Sequence, residues 1–374
     1  MRIAVNAGSF TSHQGDNNQY LFTELLLSLA LAQPDLSFIF FFDMPPSEKI
    51  EFPANTIIAV FGPEANTPVK NKLWYQLKIP LALKKHKADI FITTNYCSLK
   101  TKIPQILVCP DLFYIDEPSF VNKKHLSFYK KYTPLFLEKS SAIVVQSLFS
   151  KNQLVDRYKI NGQKISVFPI EPDNDFIPLG FEEKELIKEK YTDGNEYFIY
   201  KGYIGQQHNL MNLIKAFSAF KKRQKSKMQL IIAGIPGNEH EEFLGSLEGF
   251  RFKNELKILS DLTNEKMVKI IASAYAMIDV PMFETSFSGP WEAMKCDVPV
   301  IASSTGALPE FCGDAALYAN PTDFKNIAEK ITMLFKDEKS RKELIEKGRA
   351  RMKQFSGKQN SDSLFELIKN IMGQ

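Results

Sequence analysis

The sequence predicts an α/β protein of two domains, each built on a doubly wound parallel sheet. Three observations carry that expectation: a length of 374 residues, a repeated alternation of short apolar runs with longer amphipathic segments, and a single break rich in proline and aspartate near the middle. One hydrophobic core stops growing before this length, so a chain of this size divides. Apolar residues at 44% and charged residues at 24% are globular proportions, which sets aside disordered and membrane-embedded classes. The 30 phenylalanines supply bulk for large cores.

The elements follow in chain order. RIAVNA reads as an opening strand, residues 19–31 have helical period, FIFFF is a second strand, and residues 73–84 are again periodic. Parallel strands covered on both faces are continuous apolar runs, and DIFIT (89–93), QILVC (105–109) and AIVVQ (142–146) have that character. ISVFPI (165–170) leads into EPDNDFIP, which sustains neither helix nor strand and sets the boundary between domains at 1–172 and 173–355. The same rhythm then restarts: YFIYKG (197–202), a helix over 209–223, QLIIAG (229–234), LKIL, a helix over 265–275, AMIDVP, a helix near 290–295, VPVIAS and a last helical region. DSLFELIKNIM (362–372) is amphipathic and predicts a terminal helix, within 356–374, that returns to the first domain. Ligands of such sheets lie at the carboxyl ends of the strands, here in a cleft between the domains.

The charge balance narrows the partners. A net charge of +4 without a long block of like charge gives no reason to expect nucleic acid. Lysines gather at Lys84, Lys85 and Lys87 and at Lys123, Lys124, Lys130 and Lys131; solvated helix faces account for them, and a peripheral membrane contact is the alternative. No apolar run approaches the roughly 20 residues of a membrane span, and the N-terminus lacks a secretory pattern. Cys97, Cys109, Cys296 and Cys312 show neither disulfide nor zinc spacing, so a reduced, cytoplasmic setting with no metal is expected.

The chemistry concentrates in VPMFETSFSGPWEAMKCDVPVIAS (280–303). Glu284 and Glu292 flank a turn of small residues that ends in Pro290, a favoured first residue of a helix. Unpaired backbone N–H groups at such a turn suit phosphate oxygens and hydroxyls. From spacing alone, the favoured reading is a helix N-terminal charge and a solvated side chain.

Along nearly its whole length the chain resembles the retaining glycosyltransferases of group 1, or family 4 type, which include bacterial mannosyltransferases and relatives of glycogen synthase and sucrose synthase. The resemblance rests on FETSFSGPWEAMKCDVPVIAS, TGALPEFCGDAALYANPTD, YKGYIGQQHNLMNLIKAF (200–217), LWYQLKIPLAL (73–83), CPDLFYIDEPSF (109–120) and AIVVQSLFSKNQL (142–154). It implies the GT-B architecture, two Rossmann-like domains facing across a cleft. It also implies retaining transfer of a mannose-like or glucose-like hexose from a nucleoside diphosphate sugar, used as co-substrate without a further cofactor. The acceptor would be a glycan or lipid-linked glycan of surface polysaccharide assembly, reached in the cytoplasm or at the inner face of the cell membrane.

By position, the resemblance places Glu284 on the donor sugar and Glu292 on its ribose. The backbone of Thr285, Ser286, Phe287, Ser288 and Gly289 would face sugar and phosphates, and Leu262 and Met267 the nucleobase. Two departures matter. The cations that clamp the diphosphate in relatives are replaced by Tyr203, beside Gly202, and by His208. His208, protonated next to an anion, or Lys201 would have to take over, although a solvated strand-end lysine explains Lys201 equally. In the first domain Pro110 stands where relatives carry a histidine before Asp111, and the loop after the first strand keeps only Gly15. Asp111 with Glu284 and His208 complete the catalytic candidates, and His13 and Gly15 the acceptor side. These departures leave a catalytically degenerate binding or regulatory subunit as the alternative to an enzyme.

Overall fold

The computed structural model describes residues 1–7, 17–46, 50–62, 64, 67–94, 96–108, 112, 114, 118, 121, 123–169, 175–205, 208–237, 240–283, 288–355 and 357–373. The chain divides into two compact units, Met1–Ile170 with Ser356–Gln374, and Glu171–Phe355.

In the first unit, strands β1 (Arg2–Asn6), β2 (Ser37–Phe42), β3 (Thr56–Val60), β4 (Ile90–Thr94), β5 (Gln105–Val108), β6 (Ala142–Val145) and β7 (Ile165–Val167) form one sheet in the order β3-β2-β1-β4-β5-β6-β7. All its pairs are parallel. The continuous apolar runs are the reason: β4, β5 and β6 are buried at every residue, as strands covered on both faces must be. The periodic stretch around 73–84 is longer than its pattern implied and is not one regular helix. Helix Pro68–Leu73 opens into a π turn, Trp74–Lys78, before helix Ile79–Lys85. Pro80 brings no N–H to the preceding turn, and the wide turn absorbs the missing bond. The terminal helix Gly357–Met372 packs on helix Asn17–Ala32, where Leu364 and Ile368 are fully buried with Phe22, Leu26 and Leu29.

In the second unit, β8 (Tyr197–Ile204), β9 (Gln229–Pro236), β10 (Leu256–Ser260), β11 (Ala276–Asp279), β12 (Val300–Ser303) and β13 (Ala316–Ala319) make a parallel sheet in the order β10-β9-β8-β11-β12-β13. The chain runs outward from β8 to β10 and then returns to lay β11 on the other side of β8. The carboxyl ends of β8 and β11 therefore diverge into a crevice, the place where open α/β sheets bind ligands. Two glycines set how tightly β8 and β9 meet there. Gly202 pairs in register with Gly234, and a Cβ on Gly234 would stand 1.7 Å from the Gly202 carbonyl oxygen. Gly234→Ala must push the strands apart, and a loss of about 2 kcal/mol or more is expected in urea unfolding, the range of overpacked cores.

Candidate functional site

The crevice of the second unit holds a buried ion pair. Lys201, in β8, donates to both carboxylate oxygens of Glu292, each at 2.5 Å. The side chains keep only 13% and 5% of their surface in contact with solvent. The ammonium also lies 5.8 Å from the ring centroid of buried Phe176, where the ring face adds attraction. Lys201 is thus no solvated strand end.

Glu292 is held by its helix, Ser288–Lys295, which is buried at every residue from Ser288 to Met294. Gly289 brings the first turn down onto the sheet: a Cβ there would lie 3.5 Å from Met277 Sδ, 3.6 Å from an Asp279 carboxylate oxygen and 3.9 Å from the Lys201 carbonyl. From the far side, helix Glu338–Met352 presses on it through Gly348, whose added Cβ would come within 3.2 Å of Met294 Cγ. Arg349 clamps Asp297 with two bonds of 2.6 Å, and Trp291 wedges against Phe311 and Phe355. The Cys296 thiol, one turn beyond Glu292, is pushed up to about 12, first by burial and then by the Glu292 carboxylate.

Asn209 ties the loop after β8 to the rest of the crevice, a role its sequence context did not disclose. Held in the left-handed region at φ 60°, it donates to the Val280 carbonyl at 2.6 Å and the Pro321 carbonyl at 2.8 Å, while Asn212 donates to its side-chain oxygen at 2.9 Å. The chain after β11 is tied in turn to the loop after β12: Thr305 donates its hydroxyl to the Met282 carbonyl at 3.2 Å. An Asn before an apolar-periodic helix is a common capping signal. Its two carbonyl acceptors, 71 and 112 residues away, are invisible in one dimension.

His208 follows β8 and is half-buried. Its ring stacks on Tyr203, with centroids 5.5 Å apart, and burial pushes its pKa down to about 4. The imidazole is therefore neutral near pH 7, and the protonated form expected beside a diphosphate needs that anion to offset the burial. Leu262 follows β10, half-buried, and Met267 is buried in helix Asn264–Ala272. Gly202 and Tyr203 lie in the last half of β8, and Ser288 and Gly289 open the helix that carries Glu292. The structure thus gathers Lys201, Gly202, Tyr203, His208, Ser288, Gly289 and Glu292 around the ends of β8 and β11. Glu284, Thr285, Ser286, Phe287, Asp111, His13 and Gly15 lie outside the described residues, as does Pro110. Among the described residues, no cluster of His, Cys, Asp and Glu could hold a metal ion, and no helix is long and apolar enough to cross a membrane.

Residues 182–351 match the family described as Glycosyl transferases group 1. The chain is 25% identical over 277 residues to O-antigen chain mannosyltransferase B of Escherichia coli, covering 74% of this chain and 72% of that protein. It is 22% identical over 286 residues to O-antigen chain mannosyltransferase RfbU of Salmonella typhimurium strain LT2, covering 75% of each. Among solved structures, the sucrose-phosphate synthase of Thermosynechococcus elongatus superposes with a TM-score of 0.79 at 15% identity, over 100% of this chain and 99% of that one. WaaG, a glycosyltransferase involved in lipopolysaccharide biosynthesis, gives 0.77 at 14% identity over 100% of both chains. Anabaena HepE in complex with UDP and glucose gives 0.74 at 12% identity over 99% and 100%. The shared fold is GT-B.

Two outcomes are expected of the site itself. Lys201→Met leaves a buried carboxylate without its cation and costs about 3 kcal/mol or more in urea unfolding, whereas adding Glu292→Leu recovers most of that loss. His208 releases its proton on folding, so between about pH 6.5 and 4 the unfolded chain binds a proton that the folded chain does not. Stability therefore falls as pH drops through that window and levels off below it. Against His208→Asn, the wild type loses about 2 kcal/mol more between pH 7 and 4, since the ring's partial exposure screens some of the shift.

Proposed function

The chain carries a glycosyl transferases group 1 domain over residues 182–351, and from that premise we propose that it transfers a mannose-like or glucose-like hexose, with retention, from a nucleoside diphosphate sugar to a glycan or lipid-linked glycan of surface polysaccharide assembly. The observation that carries the proposal is the buried Lys201–Glu292 pair under the first turn of helix Ser288–Lys295, at the diverging ends of β8 and β11. The O-antigen mannosyltransferase relatives favour a surface-polysaccharide acceptor. The UDP held by HepE favours a nucleotide donor.

In this proposal the donor's diphosphate sits over Gly202 and Gly289, and Lys201 supplies the permanent cation that Tyr203 and neutral His208 do not. The bond between the anomeric carbon and the diphosphate oxygen breaks while the acceptor oxygen joins the same face of the sugar. The acceptor's proton passes to the departing diphosphate. Negative charge grows on the diphosphate in the transition state, and a fixed ammonium in a site shielded from water stabilises it without reorganisation. Glu292 orients Lys201 and accepts from ribose hydroxyls, Glu284 meets the sugar, and Leu262 with Met267 borders the base. Asp111, His13 and Gly15 serve the acceptor. Once an anion is bound, His208 becomes easier to protonate and joins Lys201. No metal or cofactor beyond the nucleotide sugar enters the scheme, and the reaction runs in the cytoplasm at the inner membrane face.

Release of nucleoside diphosphate from a panel of nucleotide sugars, with acceptors extracted from cells, tests the proposal. One donor is expected to be turned over, Lys201→Ala is expected to lower kcat by about 100-fold, and Glu292→Ala to abolish calorimetric binding of the matching nucleotide. No release from any donor together with no binding of UDP or GDP overturns it in favour of a glycosyltransferase-like binding subunit, the reading that Tyr203 and neutral His208 favour.

A further inference from the structure

We infer that β3, the outer strand of the first unit's sheet, pairs with β3 of a second copy of this chain, antiparallel about a twofold axis, so that the two sheets continue into each other. β3 pairs with β2 and stands at the end of the strand order, with no strand on its other side. The pairing with β2 decides which backbone groups are left over. Phe38 donates its N–H to the Asn55 carbonyl at 3.0 Å, and Phe61 donates to the Phe42 carbonyl at 2.9 Å. In a parallel ladder the N–H and C=O of one residue point to the same side and successive residues alternate. Ile57 and Ala59 therefore turn theirs to β2, and Ile58 and Val60 turn theirs outward. Among the described residues nothing bonds to those outward groups. Thr56 is already closed by its own turn, its N–H on the Pro53 carbonyl at 3.1 Å.

A free row of N–H and C=O groups is a template for another strand, so the sheet edges of monomeric proteins carry a guard. The other edges of this chain have one. At β7, three residues long, the Lys151 ammonium caps the Ile165 carbonyl at 3.0 Å. β10 carries Lys257, whose ammonium lies 3.8 Å from an Asp193 carboxylate oxygen. β13 is four residues long and none of them is exposed. β3 is different: TIIAV has no charge and no proline, and Ile57, Ile58 and Val60 are exposed at 47%, 44% and 47%. Residues 52–62, FPANTIIAVFG, are uncharged throughout. Flat, β-branched and apolar, the edge is built to be covered.

Self-pairing satisfies this edge. With Ile58 opposite Val60 of the other copy, and Val60 opposite its Ile58, the outward N–H and C=O groups of both residues are all bonded across the axis. Ala59 then meets Ala59 of the other copy at the close spacing of a non-hydrogen-bonded pair. The side chains agree with the backbone. Thr56, Ile58 and Val60 lie on the face where their β2 partners Phe38, Phe40 and Phe42 are buried. On that face Asn55 donates to the Ala30 and Gln33 carbonyls at 2.9 and 3.0 Å, which sets the end of helix Asn17–Ala32, with Leu31 exposed at 69%, beside the start of β3. Aliphatic side chains therefore meet aliphatic side chains, and no like charges are opposed, because the run holds none. A foreign strand would be selected by its side chains, and β3 offers no charge to select one. One strand and one helix end on each side fall at the small end of interface sizes, about 1,200 Å² or less in total, so dimerisation in the micromolar range is expected.

The contact belongs to the first unit and stands apart from the proposed transfer, so it is measured without turnover. Sedimentation equilibrium of the purified protein, over a concentration series through the micromolar range, is expected to show a dimer. Ile58→Lys with Val60→Lys puts charges on exposed edge positions, as guarded edges do, and should raise the dissociation constant about tenfold or more, with the circular dichroism spectrum unchanged. Ala59→Cys reads the register. Residues of a non-hydrogen-bonded antiparallel pair lie within disulfide reach, so mild oxidation should convert this variant to a covalent dimer that the wild type, with Cys97, Cys296 and Cys312 buried, does not form. A wild type that stays monomeric at every concentration overturns the inference and leaves the edge to a strand of another protein. A dimer that survives the double lysine variant, or an Ala59→Cys chain that oxidation leaves uncrosslinked, overturns it equally.

Discussion

An ammonium and a carboxylate taken out of water together must satisfy each other, and much of the second unit is arranged around that demand at Lys201 and Glu292. The cost of removing both charges from solvent is met only while β8 and helix Ser288–Lys295 stay in fixed register. Several contacts around the pair help to preserve that register. Gly289 lets the helix descend onto β8 and β11, Gly348 lets the following helix press from outside, and the Arg349–Asp297 fork stops the helix end from sliding. A ligand that shares Glu292 or competes for Lys201 enters a site whose geometry is already set, which is what a charged leaving group requires.

The topology explains why this pair lies where a ligand can reach it. Both sheets run outward from their first strand and then reverse, so each has one pair of adjacent strands whose following loops diverge. In the second unit that pair is β8 and β11, and Asn209 bridges from the loop after β8 to the carbonyl of Val280, just beyond β11. One side chain thus joins the segment after β8 to the segment after β11. On the first unit the organisation is inverted: residues 68–87 bury their aromatic side inward and keep their aliphatic line and lysines outward, so the element serves core and surface at once.

Much of the fold was legible because buried parallel strands are unbroken apolar runs. FIFFF, QILVC, AIVVQ, QLIIAG and VPVIAS all mark strands to within a residue or two. Two strands were not anticipated, for opposite reasons. TIIAV forms β3 at the edge of its sheet, with Ile57, Ile58 and Val60 partly exposed, and ALYA of β13 is too short to show a period. The π turn escaped notice because a periodic pattern records which residues face inward, not how many complete a turn. In the site, Glu292, Gly289 and Gly202 could be picked out by the company they keep in the sequence. The fate of Lys201 could not, because its partner is 91 residues away and arrives only when β11 is laid beside β8.

The amino-acid sequence by itself determined which segments become strands, where the chain breaks between its two halves, and which side chains are available for chemistry, since these depend on local composition and on the period at which apolar residues recur. Tertiary structure alone decided the charge states and the neighbours. His208 is neutral because its half-buried ring, stacked on Tyr203, is largely desolvated, and Lys201 is an ion-pair member rather than a solvated side chain because the helix that follows β11 brings a carboxylate to it. Burial and distance are properties of three-dimensional packing, and they fix how strongly a charge is felt.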